Sequence, residues 1–136
     1  MQLRTVFTVN SILAFVFGIG FTFFPTLCIS LMGFDIAGDA PLIATGMGVF
    51  VIGTSILAFF ARNTLKSDAR RAIIICLFTL YILLILYKLS LNILFGISFN
   101  LMFAAIYVLH IAFVSAYGYF LFGKPREIDT KHEAKS

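Results

Sequence analysis

The chain has 136 residues, of which 61% are hydrophobic and only 12% charged, and its mean hydropathy is +1.05. A soluble domain of this size is closer to half apolar and has too much surface to hide so much greasy side chain, so a water-soluble globule is excluded and lipid is the expected solvent. The formal net charge of +4 does not point to nucleic acid, because the basic residues cluster beside apolar runs, where they set membrane topology.

A spanning helix needs roughly 20 apolar residues, and four segments qualify. The first runs from Thr5 to Phe24 and is stopped by Pro25. Its apolar stretch is longer than the h-region of a signal peptide and no small-x-small cleavage site follows it, so it is expected to stay as a helix. The second runs from Pro41 to Ala61, ending at Arg62, and the third from Ala72 to about Asn92. The fourth runs from Leu101 to Phe122 and is followed by Gly123-Lys124-Pro125. Lipid offers backbone groups no partner, and these stretches are too long for barrel strands, so all four are predicted to be helical. The expected fold is therefore all-α: an antiparallel four-helix membrane bundle in residues 1–123, followed by a polar, disordered tail in 124–136.

The connections differ sharply in charge. Arg4, the loop with Arg62, Lys66, Arg70 and Arg71, and the tail with Lys124, Arg126, Lys131 and Lys135 all fall on one side. The loops on the other side hold no Lys or Arg, and carry Asp35 and Asp39. The positive-inside rule then puts both termini and the middle loop in the cytoplasm. So one-sided a bias counts against dual topology and against an antiparallel dimer of the small multidrug-exporter type. The loop from Thr26 to Phe34 is apolar enough to lie in the interface as one or two helical turns ending at Gly33. Asp39 is placed to cap the second span, with Pro41 in its first turn.

Few residues in the spans carry chemistry. His110 lies near the middle of the fourth span, on one face with Phe103, Tyr107, Phe113, Val114 and Tyr117. An ionisable residue at this depth is a functional candidate. The same face suits a pocket for a flat or lipid-like ligand, and suits an ordinary bundle core, with the imidazole bonded to Asn10, Thr8, Ser11 or a tyrosine. The only other histidine is His132 in the tail, which excludes a bis-histidine haem, and no cofactor or metal is expected. Lys88 lies about four residues, or roughly 6 Å of rise, from the expected end of the third span. From there it can snorkel outward, pair with Asp35 or Asp39, or hold an anionic ligand. Tyr81 and Asn92 share roughly its face. Asn10 in the first span is expected to hydrogen-bond to another helix.

Small residues recur at helical spacing: Ala14 and Gly18; Ala40, Ala44 and Gly48, with Gly46 and Gly53; and Ala104, Ala112 and Ala116. They let backbones approach, either at a dimer interface or, as preferred here, inside one bundle. No Asp or Glu lies within any span, so a carboxylate proton relay is not expected. Cys28 and Cys76 fall about a bilayer apart in this topology, too far for a disulfide. No hydrolase, nucleotide-binding or metalloprotease motif occurs.

The pattern of Asn10, Phe17-Gly18-Ile19-Gly20-Phe21 leading to Pro25, Gly33-Phe34, Gly46-Met47-Gly48, Phe60-Ala61-Arg62 and Arg70-Arg71 resembles small uncharacterised bacterial four-helix membrane proteins, loosely DoxX-like. The resemblance implies the same bundle in a bacterial inner membrane. Many such proteins carry an Arg early in the second span, where this chain has Leu42-Ile43-Ala44-Thr45, so no site residue carries over.

The leading functional expectation is a non-catalytic accessory or interaction protein of the cytoplasmic membrane. The second is a binder or transporter of a lipid or lipophilic small molecule in the bundle core. The third is an enzyme on a membrane-dissolved substrate with His110 as acid or base. The residues expected to line a ligand site are His110, Tyr107, Tyr117, Lys88, Tyr81 and Asn10; the oligomeric state is left open.

Overall fold

The computed structural model describes residues 2–34, 38–65, 67–95 and 100–123. The expected tail, Lys66 and Asp35 lie outside the described residues. Five helices follow one another: α1 Leu3–Phe23, α2 Pro25–Leu31, α3 Ala40–Ala61, α4 Asp68–Phe95 and α5 Leu101–Phe122. All but α2 are long and apolar enough to cross a membrane, so the chain is a multi-pass membrane protein built as a four-helix bundle.

Local chemistry sets the helix ends. Pro25 stops α1 because it has no N–H to donate and its ring clashes with the preceding turn; it then opens α2 as a first-turn residue. The turn after α2 is a Schellman closure, with Gly33 N–H donating to Ser30 O at 2.9 Å and Phe34 N–H to Ile29 O at 3.2 Å. Gly33 has a φ of 80°, and a Cβ there would stand 2.8 Å from Asn100 Nδ2, so both conformation and space require glycine. Asp39 does sit at the start of α3, but its side chain makes no capping hydrogen bond. Asn100 caps α5 instead, its side chain accepting from Phe103 N–H at 2.7 Å. Its amide also donates to Leu31 O at 3.1 Å, tying the end of α2 to the start of α5.

The bundle is two tight pairs, α1 with α3 and α4 with α5. In the first pair the backbones nearly touch. A Cβ on Gly48 would stand 2.6 Å from Thr22 N and 2.8 Å from Gly18 O. The small residues at 18 and 48 therefore serve packing within the chain. Ser55 Oγ adds a buried hydrogen bond to Ser11 O at 2.9 Å. In the second pair Phe78 lies against Gly118, and Tyr81, Phe113 and Tyr117 form a mutually stacked cluster of three rings.

The two pairs meet at one end. Val6 and Phe7 from α1, Ala58 and Ala61 from α3, Ile74 and Leu77 from α4, and Phe113 and Tyr117 from α5 form a continuous buried core there. This is the end that carries the Arg62–Arg71 connection. Toward the other end the pairs diverge, and the gap between them holds the candidate site.

Candidate functional site

The gap is a cavity of about 810 Å³ walled by all four long helices, with α2 across one end. Its lining is almost entirely apolar, from Leu13 and Phe17 on α1 to Leu84 on α4 and Ile106 on α5. Ile29, Met32 and Phe34 close the α2 end, where the Phe34 ring meets Phe103 at 6.1 Å. Side chains that line the cavity yet remain exposed lie on α3 and α4: Ile43, Met47 and Phe50 on one, Tyr87 on the other. The aperture therefore opens sideways between α3 and α4, toward the acyl chains. Gly46 widens it, since a Cβ there would meet nothing within 4 Å.

Apart from Thr54, which bonds its own helix at Val51 O, and Tyr87 at the aperture, the polar groups of the wall belong to two joined clusters. Asn10, only 2% exposed, bridges two tyrosines. Its Nδ2 donates to Tyr117 Oη at 2.7 Å, and its Oδ1 accepts from the Tyr81 hydroxyl. One amide thus links α1, α4 and α5, and both its polar ends are satisfied, as burial in lipid demands. The second cluster is Lys88 and His110, with Nζ 3.3 Å from Nδ1. The Tyr81 ring stands edge-on to the imidazole at 5.3 Å and connects the clusters.

Four of the six expected site residues line the cavity, Asn10, Tyr81, Lys88 and His110, and Tyr117 lies fully buried behind them, joined through the Asn10 amide. Tyr107 does not join them; it is half-buried and lies off the cavity wall. The imidazole contacts none of Asn10, Thr8 and Ser11 through a hydrogen bond, because the tyrosines occupy the Asn10 amide and Thr8 bonds its own helix at Arg4 O. Instead His110 Nδ1 lies 2.5 Å from Ile106 O in the preceding turn.

Lys88 departs from the snorkelling expectation. It is only 7% exposed, its head turns inward, and among the described residues it makes no ion pair with Asp39. Its side chain packs inward instead, with Nζ beside His110 and 5.6 Å from the centre of the Phe103 ring. Among the described residues no three His, Cys, Asp or Glu side chains gather as metal ligands would.

These features define a multi-pass helical membrane protein with a laterally open apolar cavity and a few internal polar groups. No protein-family model matches the chain, and neither does any curated protein or solved structure.

Proposed function

We propose that this chain is a membrane-embedded binder of a lipophilic molecule, which enters the cavity sideways from the bilayer between α3 and α4. The observation that supports it is the cavity itself. At about 810 Å³ it lies within the usual range for small-molecule sites, roughly 300–1,000 Å³. Its character also follows the usual pattern, with much apolar and aromatic wall and a few polar groups gathered in one place to fix orientation. A bundle made only to pack would bring its two helix pairs together along their whole length. Of the three functional expectations, the accessory role is the one that gives this gap no use. The resemblance to bacterial proteins and the charge bias of the loops support placing it in a bacterial cytoplasmic membrane with both termini inside.

Native mass spectrometry of the gently extracted protein tests the reading. An extractable lipophile should accompany the chain at about one per cavity, and Gly46→Phe, which projects a ring into the open space, should release it while the bundle stays folded. A chain that carries no lipophile and instead migrates in a stable complex with another protein supports the accessory role.

A further inference from the structure

Lys88 is a buried cation on the cavity wall, and the described residues around it do not complete it. Its Nζ has three N–H donors and no acceptor capacity. Its one hydrogen-bond-range contact among the described residues is His110 Nδ1, at 3.3 Å, but that nitrogen is already committed. At 2.5 Å from Ile106 O, Nδ1 must carry the proton and donate to the carbonyl, since a bare lone pair would face an oxygen lone pair. A protonated Nδ1 cannot accept from Lys88. The Phe103 ring, 5.6 Å from Nζ, offers only its π-face. The only carboxylates among the described residues are Asp39 and Asp68, at the starts of α3 and α4, and neither forms an ion pair with Lys88. A charged ammonium held this way, in an apolar wall and away from water, is costly until an anion joins it.

We infer that the molecule bound in this cavity is a monoanionic amphiphile, whose carboxylate or phosphodiester head is held by Lys88 beside His110 while its apolar chain fills the space between the helix pairs. The inference rests on the cavity being a lipophile site and adds the chemistry of the head group. One cation calls for one negative charge, and the lateral aperture lets a chain enter tail-first from the bilayer. The same chemistry is available from a free fatty acid and from an acidic phospholipid.

The test uses the full chain in neutral detergent, with radiolabelled palmitic acid as probe, and hexadecanol and phosphatidylglycerol as competitors. Palmitate should bind saturably at about one per chain, and hexadecanol should compete at least tenfold more weakly. Lys88→Met should weaken palmitate binding at least tenfold and so abolish that discrimination, and Lys88→Arg should retain it. Phosphatidylglycerol competing better than unlabelled palmitate assigns the head to a phosphodiester lipid; the reverse order assigns it to a fatty acid. Equal binding of palmitate and hexadecanol, or discrimination that survives Lys88→Met, overturns the inference. Failure of every probe on a chain that still carries an extractable lipophile overturns the anionic head group and leaves the cavity reading standing. The same failure on a chain that carries none overturns both.

Discussion

His110 Nδ1 lies within hydrogen-bonding distance of its own helix at Ile106 O and 3.3 Å from Lys88 Nζ on the neighbouring helix. The imidazole is thus fixed by α5 and set against Lys88, the one buried cation among the described residues of the wall. His110→Gln keeps a donor and an acceptor at this point. The bond it replaces lies within α5 and joins no two helices, so thermal stability in detergent should change by no more than about 1 kcal/mol. Ligand occupancy, read by mass spectrometry of the same preparation, should fall several-fold. Unchanged occupancy would make His110 a packing residue only.

Asn10 carries more structural weight, because its one amide serves two buried hydroxyls on two other helices. Asn10→Leu leaves Tyr81 and Tyr117 without their partner and should cost about 1–3 kcal/mol. The triple change Asn10→Leu, Tyr81→Phe, Tyr117→Phe removes the stranded hydroxyls too and should be less destabilised than the sum of its parts. Reversible unfolding in mixed micelles measures the difference. Strict additivity would mean that the three side chains do not act as a unit.

Two glycines in α3, five residues apart, should respond differently. Gly48 faces the α1 backbone, so Gly48→Ile forces α1 and α3 apart and should destabilise by roughly 1–3 kcal/mol. At Gly53 an added Cβ meets nothing within 4 Å, so Gly53→Ala should be neutral or gain up to about 1 kcal/mol through helix propensity. The same unfolding measurement distinguishes the two. Equal losses at both positions would contradict the α1–α3 crossing.

Cys28 reports on orientation. Its sulfur packs near Gly20 of α1, where a Cβ would stand 3.2 Å from Sγ, and burial pushes its thiol above the ordinary range. The thiolate is the reactive form, so labelling should be slow at pH 7 and rise about tenfold per pH unit below that raised value. An impermeant maleimide applied to intact cells should follow this profile at Cys28 and spare cysteines introduced at Asn63 and Ala69. Labelling of the introduced cysteines from outside would reverse the proposed topology.

Much of this architecture was legible in the chain. Four spans follow from the demand that every backbone group be satisfied inside lipid, and Pro25 and Gly33 mark a stop and a turn by their own stereochemistry. The helix pairing was not legible, because several small-residue stripes could have met; only the fold shows Gly18 against Gly48. The inward turn of Lys88 was hidden for a related reason. It depends on which way α4 faces within the bundle, and the end of α4 is hidden too, since a polar residue such as Asn92 reads as an end while the helix continues through it to Phe95. The cavity is a property of the divergence between helix pairs, which no single segment encodes. The cap at Asn100 could have been found: an Asn directly before a long apolar run is a helix-start signal.

The central claim is that a lipophile occupies the gap between the helix pairs, and the absence of tryptophan from the chain allows a direct measurement. Leu84 lines the cavity, whereas its neighbour Leu83 is exposed and lies off the cavity wall. Tryptophan fluorescence of Leu84→Trp and Leu83→Trp is followed as bromine-labelled C16 acid or alcohol is added in neutral detergent, because bromine quenches on contact. Occupancy predicts saturable quenching at position 84, complete near one amphiphile per chain, and only gradual, unsaturated quenching at position 83. Identical, unsaturated quenching at both positions, with either amphiphile, would show that the gap takes up lipid no differently from the bundle surface and would contradict the claim.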